Sequence, residues 1–272
     1  MYPFLLPEIF DYTIPMHDLM MIIGVFLMLI YVGYRLENKE GYSRKQTNRL
    51  LVLIVASSLI ALASSYLVDG IFHSIKNGEL TFGSITFLGG LIGGVLAFIV
   101  LLKYFYTDDN KDVKQLLNTL ITGIVLAHAI GRIGCFLAGC CFGIPTDSFL
   151  GVVFPHGHAH EVFPDTAIFP TQLFESAFLF ALFIALNQVK SIKTFEMEFY
   201  LIAYGIWRIL IEFIRGDDRG SLIALFSTEY NVFPTPSQYL SLGMIILGLI
   251  LLRRPDIFRQ KNKISASDEI DL

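Results

Sequence analysis

The chain predicts an all-α polytopic membrane protein, a bundle of seven transmembrane helices with its N-terminus outside and its C-terminus in the cytoplasm. Three observations predict it. Hydrophobic residues make up 54% of the 272 and the mean hydropathy is +0.61, well beyond a soluble domain. The apolar residues form seven runs, each about as long as the 17–25 residues that cross a bilayer. The basic residues, finally, fall almost entirely on one side of those runs.

In order, the runs cover residues 17–36, 48–68, 84–105, 115–136, 171–189, 196–214 and 237–253. The first lacks a basic leader and a small-residue cleavage site, so it reads as a retained span rather than a removable signal peptide. The third carries Gly89-Gly90-Leu91-Ile92-Gly93-Gly94. Inside an apolar span, that pattern predicts close helix packing rather than a nucleotide loop. Hydrophobicity throughout is uniform rather than alternating in twos, which favours a helix bundle over a barrel. Residues 1–254 read as a single transmembrane domain and 255–272 as a polar cytoplasmic tail. The longest loop, 144–170, has no Lys or Arg, three histidines and four prolines. It also holds Val152, Val153, Phe154, Val162 and Phe163, so a cap folded back over the bundle is expected rather than a free linker. No internal repeat suggests a transporter built from inverted halves.

Orientation follows from charge. Arg35, Lys39, Arg44, Lys45, Arg49, Lys103, Lys111, Lys114, Lys190, Lys193, Arg253, Arg254, Arg259, Lys261 and Lys263 flank one side. Lys76, Arg215 and Arg219 flank the other, and Arg132 and Arg208 lie within runs. Basic loops stay in the cytoplasm, so the N-terminus is placed outside. His17-Asp18, Arg132, Gln172-Glu175, Arg208–Arg215 and Ser237-Gln238 then all fall in the outer half of the membrane. That segregation predicts one outward-facing site.

The site's chemistry is anionic recognition. A charge at membrane depth costs about 2.5–3.5 kcal/mol on insertion scales, so it faces a cavity, a partner or a substrate. Arg132 shares a helical face with His128, four residues earlier, and Cys135, three later. Tyr204, Arg208, Glu212 and Arg215 recur at spacings of four, four and three, one polar stripe on a helix. Arg208 and Glu212 could simply neutralise each other. Alternatively, the two intramembrane arginines converge on an anionic lipid head group, since a planar guanidinium grips phosphate oxygens bidentately and keeps its charge. Nothing in the chain points to ATP, nicotinamide or nucleic acid.

Several segments resemble the bacterial prolipoprotein diacylglyceryl transferases. Gly131-Arg132-Ile133-Gly134, with Phe136 and Gly143, is similar to the family signature, and Phe87–Gly93 to its glycine-rich third span. Pro170-Thr171-Gln172-Leu173-Phe174-Glu175 resembles a Pro-Ser-Gln-Leu-Tyr-Glu element. Tyr204-Gly205-Ile206-Trp207-Arg208, with Glu212 and Arg215, resembles the late arginine helix, and Pro236–Ser241 the final span. The resemblance covers spans three to seven in order. It implies a seven-helix enzyme of the bacterial plasma membrane that moves diacylglycerol from phosphatidylglycerol to the lipobox cysteine of a preprolipoprotein. A thiolate attacks the glycerol carbon and glycerol phosphate leaves; no cofactor is called for and no metal is assigned. Implied catalytic residues are Arg132, Arg208, Glu212 and His128, with the base open between His128 and Glu212. Implied phospholipid-binding residues are Arg132, Gly131, Gly134, Gly143, Tyr204, Gln172, Glu175 and Arg215. The three glycines would let backbone approach the head group, and Tyr204 and Glu212 would orient Arg208.

The same resemblance marks departures. The signature reads Gly-Arg-x-Gly-Asn-Phe-x-Asn-x-Glu; here Cys135, Ala138 and Cys140 replace Asn, Asn and Glu. Leu88 stands where the family has a histidine, and His17 where it has an early tyrosine. A related phospholipid-dependent transferase with another acceptor therefore stays open, as does a non-catalytic lipid-binding or redox membrane protein. Cys135, Cys140 and Cys141 read as small packing residues, as a disulfide, or as nucleophile or metal ligands. His156, His158 and His160 read as polar loop residues or as ligands for zinc or copper completed by Cys140 or Cys141.

Overall fold

The structure, a computed structural model, describes residues 4–5, 14–77, 87–105, 113–217 and 225–254. Among them are eight α-helices: α1 (Met16–Lys39), α2 (Arg44–Asn77), α3 (Phe87–Phe105), α4 (Val113–Ala138), α5 (His158–Val162), α6 (Thr171–Gln188), α7 (Glu196–Glu212) and α8 (Pro236–Arg253). Leaving out the five-residue α5, they coincide with the seven predicted intervals to within a few residues, except that α2 continues to Asn77. Among the described residues, four stretches are long and apolar enough to cross a membrane: α1, residues 44–68 of α2, α4 and α8. Large apolar side chains such as Ile22 (67% exposed) and Leu59 (64%) face outward, as a lipid-facing surface requires. The polar tail expected over 255–272 and the basic residues Lys111 and Arg219 lie outside the described residues.

The chain divides into two compact units. One comprises residues 29–111. Here Ser43 and Gln46 cap α2 reciprocally, Ser43 N–H donating to Gln46 Oε1 at 2.9 Å and Gln46 N–H to Ser43 Oγ at 3.4 Å, a capping box. Arg35 Nε donates to Glu40 Oε1 at 2.7 Å beneath the α1–α2 turn. α3 packs along α2 through its glycines. A Cβ on Gly94 would come within 2.8 Å of Ala61 Cβ, and one on Gly89 within 2.7 Å of Val68 Cβ. Ser64 Oγ donates to the Gly89 carbonyl. The Gly-rich stretch is thus a packing seam, as its setting in an apolar span predicts.

The other unit comprises residues 1–28 and 112–272. α4, α6 and α7 share a core of Val125, Ala129, Leu179, Leu182, Leu186 and Tyr200, and Phe178 stacks on Trp207 at 4.4 Å. α8 packs on α7 at Gly205 and Gly248. Among the described residues, three two-stranded antiparallel sheets decorate this unit: β1 (Phe4–Leu5) with β2 (Ile14–Pro15), β3 (Val152–Val153) with β4 (Ala167–Ile168), and β5 (Phe226–Ser227) with β6 (Val232–Phe233). The 144–170 loop is ordered by the β3–β4 pair and by a small core of Phe142, Phe154, Ala159 and Ile168, with Phe136 of α4 packed against it.

A polar cluster also occupies the start of α4, where the expectation that unusual polar groups gather at one end of the spans does not hold. Thr122 Oγ1 donates to Glu196 Oε2 at 2.8 Å, and Asn118 Oδ1 accepts from Met197 N–H at 3.1 Å. Lys114 Nζ lies 2.8 Å from Glu198 Oε1. Glu196 and Glu198 are fully buried, and buried carboxylates persist only when paired or hydrogen-bonded. This cluster latches the start of α7 to α4.

Candidate active site

The last turns of α4, the first of α6, the last of α7 and the first of α8 bring their polar residues together. The amphipathic period of α4 puts His128, Arg132 and Cys135 on one face, and Arg132 Nη1 stands 3.9 Å from Cys135 Sγ. Arg132 is 9% exposed and its Nη2 donates to Glu175 Oε2 on α6. Glu175, with no exposure, also accepts from the Tyr204 hydroxyl on α7 at 2.8 Å. His128 Nε2 stands 3.8 Å from Glu175 Oε1, beyond hydrogen-bond length, and its ring packs edge-on against Tyr204.

A second set continues from α7 to α8. Arg208 Nη2 lies 3.0 Å from Glu212 Oε2 and donates to Ser237 Oγ at 3.2 Å. Glu212 accepts from Thr235 Oγ1 at 2.8 Å. Thr235 also caps α8 in a capping box with Gln238. Glu175 feels the charge of both Arg132 and Arg208, so the two sets form one electrostatic unit. It holds two guanidiniums and two carboxylates, formally balanced, beside a histidine.

Within this unit, four buried atoms have no hydrogen-bond partner among the described residues: Arg132 Nε, Arg208 Nη1, Gln172 Oε1 and Glu212 Oε2, the last in the ion pair with Arg208. Buried donors and acceptors of this kind are costly unless something meets them. Two are cationic donors, one is an amide acceptor and one a carboxylate oxygen. Guanidinium donors of this kind suit an anion.

Several predicted residues sit elsewhere than expected. Tyr204 orients Glu175 rather than Arg208, because its hydroxyl reaches the carboxylate. The stripe Tyr204-Arg208-Glu212 breaks before Arg215, since α7 ends at Glu212. Arg215 is 1% exposed and grips Asp217 bidentately, at 2.8 and 2.7 Å. Burial opposes its charge, but those bonds outweigh it and hold the guanidinium above its ordinary pKa. Gly134 faces α1, where a Cβ would meet Met20 Cβ at 2.8 Å. Gly143 lies between Phe169 and Ile214, in a β-bridge with Arg215. Both permit close chain approach within the fold. A Cβ on Gly131 would touch only Met21 Sδ, at 3.8 Å.

Residues that sequence reasoning missed as partners are Thr235 and Ser237, both short polar residues at a helix start, where Thr-Pro-Ser-Gln signals a cap. Of the groups able to hold a metal, the sulfurs of Cys135, Cys140 and Cys141 lie within 4.8 Å of one another. In the histidine run, His158 Nδ1 turns to Glu161 Oε2 (3.3 Å) and His160 Nδ1 to the Phe154 carbonyl (3.0 Å).

Comparison with known proteins matches residues 5–254 to the family model "Prolipoprotein diacylglyceryl transferase". The chain is 30% identical over 262 residues to the phosphatidylglycerol–prolipoprotein diacylglyceryl transferase of Clostridium tetani, covering 93% of this chain and 98% of that one. It is 32% identical over 261 residues to phosphatidylglycerol–prolipoprotein diacylglyceryl transferase 2 of Clostridium perfringens, covering 90% and 93%. With the enzyme of Finegoldia magna the identity is 27% over 270 residues, covering 96% and 97%. The match spans both the paired arginines and the helices that hold them, and the chain belongs to the prolipoprotein diacylglyceryl transferase family.

Proposed function

We propose that this protein is an integral membrane transferase that moves the diacylglyceryl group of phosphatidylglycerol to the lipobox cysteine of preprolipoproteins. Beyond the family match, the observation that carries the site is the pair of buried arginines with unpartnered N–H groups. Arg132 and Arg208 receive the phosphate, and Gln172 Oε1 accepts a hydroxyl of the head group's glycerol. The acceptor thiolate attacks the glycerol carbon, a C–S bond forms as the C–O bond to phosphate breaks, and glycerol phosphate leaves. Negative charge grows on the phosphate oxygens, where fixed guanidiniums in a water-poor site stabilise it most.

The acceptor thiol, with an ordinary pKa near 8.5, needs a base. Glu212 is committed to Arg208 and Thr235, so the role falls to His128, with Glu175 beside it to balance the imidazolium. Seven helices span the membrane, N-terminus out, with the site toward the outer leaflet and the 144–170 loop as its cap. The fifteen-to-three charge asymmetry of the loops supports that orientation.

The test is transfer of labelled diacylglycerol to a lipobox peptide by purified protein in phosphatidylglycerol liposomes, with Arg132→Ala alongside. Peptide labelling that disappears in the variant is expected. Glycerol phosphate release without peptide labelling means a different acceptor, and no lipid turnover in folded protein overturns the reading. Reporter fusions at each loop test the orientation separately.

A further inference from the structure

The chain has three cysteines, and all three converge on one spot beside Arg132. Cys135 lies in the last turn of α4. The chain then reverses at Gly139, φ +69°, and Cys141, φ +60°, which folds residues 140 and 141 back over the helix end. A non-glycine residue rarely adopts that left-handed region, so the turn holds Cys141 against its preference. The three sulfurs lie within 4.8 Å of one another, and Cys140 Sγ donates to the Cys135 carbonyl at 3.6 Å. His17, at the start of α1, packs against α4 next to Cys135: a Cβ on the preceding Gly134 would meet His17 Cα at 3.3 Å. Its Nδ1 is 3.1 Å from Asp18 Oδ1. An imidazole held by a carboxylate at one nitrogen is the usual setting of a histidine that ligates through the other.

Neither simpler reading accounts for this group. Plain apolar packing would not set sulfur against a guanidinium, yet Arg132 Nη1 stands 3.9 Å from Cys135 Sγ. A disulfide uses two sulfurs and strands the third, and the adjacent Cys140 and Cys141 have poor geometry for bridging each other. Three thiolates and an imidazole are a ligand set of structural zinc, tetrahedral with Zn–S near about 2.3 Å. Sulfurs so bound sit roughly 3.8 Å apart, so the group closes with a shift of about 1 Å.

We propose that Cys135, Cys140 and Cys141, with His17 as fourth ligand, form a site for a soft divalent cation, with Zn2+ as the reference ion. Binding one Zn2+ displaces the three thiol protons and needs no oxidant. The resulting complex carries one net negative charge and lies beside the Arg132 guanidinium, whose Nη1 is 3.9 Å from Cys135 Sγ. The site would also set the start of α6. Gln172 Nε2 donates to the Cys140 carbonyl at 2.5 Å and Thr171 Oγ1 to the Cys141 carbonyl at 2.8 Å. Metal at the turn therefore fixes the two carbonyls on which the first residues of α6 hang, and through them Glu175. The inference stands on this geometry and does not depend on the transfer reaction.

The experiment uses full-length protein in detergent, reduced, stripped with chelator, loaded with Zn2+ and freed of excess. Elemental analysis should find one zinc per chain, lost in Cys135→Ser and in Cys141→Ser and weakened in His17→Ala. Zinc-edge X-ray absorption on the wild type should show three sulfur neighbours and one nitrogen, which decides the matter even where a variant does not fold. Zinc held equally by the cysteine variants, two or fewer sulfur neighbours, or no retained zinc overturns the proposal. One titratable thiol before reduction and three after, without metal, overturns it in favour of a disulfide.

Discussion

Arg132 on α4 and Glu175 on α6, 43 residues apart in sequence, form a buried ion pair in which the carboxylate also takes the Tyr204 hydroxyl. Removing one member of such a pair leaves an uncompensated buried charge, at a cost of about 3–5 kcal/mol. Glu175→Gln should therefore lower the thermal midpoint markedly and reduce transfer, whereas Tyr204→Phe, which deletes one hydrogen bond to the buried carboxylate, should cost about 1–3 kcal/mol. Thermal unfolding in detergent distinguishes the two. Equal losses would mean that Glu175 is not the hub.

Arg208 differs from Arg132 in having Nη1 without a partner among the described residues. If that atom meets the phosphate as charge develops, Arg208→Ala should lower turnover by about 10²–10³-fold. Arg208→Lys should recover only part, because an ammonium cannot hold Glu212, Ser237 and a phosphate oxygen in one planar fork. Full activity in the Lys variant would argue against bidentate use.

The latch at the start of α4 makes a contrasting case. Thr122→Val removes the donor to buried Glu196, at a cost of about 1–3 kcal/mol. Thr122 lies ten residues before Arg132, about 15 Å along the helix at about 1.5 Å per residue. The midpoint should fall while transfer per folded molecule stays unchanged.

Gly143→Ala places a Cβ 2.7 Å from both Cβ and O of Phe169 and 2.8 Å from the Ile214 carbonyl. Backbone on two sides cannot rotate away, so overpacking of about 1–3 kcal/mol is expected. The measurement is the thermal midpoint, with Gly131→Ala, which meets only a flexible Met21 sulfur, as the control that should stay near wild type.

The helices were legible because a bilayer demands unbroken apolar runs, and these run on until a turn or a charge stops them. α2 outran its predicted interval because Asp69 and Lys76 end the apolar run without breaking a helix. Arg132, Arg208 and Glu212 were legible because charge is conspicuous at membrane depth. The hub role of Glu175 was not, since which carboxylate meets which arginine depends on how four helix ends meet. Single polar residues such as Asn118 and Thr122 look like tolerated substitutions inside an apolar run until Glu196 is brought against them. The sulfur cluster likewise depends on the left-handed turn at Gly139 and Cys141, which cysteine spacing alone does not reveal.

Glu175 has a kinetic meaning as well as a structural one. If Arg132 receives the lipid phosphate as proposed, the phosphodiester meets a guanidinium already holding a counterion, and docking is an exchange of one anion for another rather than the filling of a bare charge. That tempers affinity for the donor lipid. It also gives the departing glycerol phosphate, more highly charged than the lipid it came from, a tethered competitor that reclaims the guanidinium. A site that gripped phosphate with two unopposed arginines would be slow to let its product go; on the proposed reaction, the resident carboxylate would speed that release.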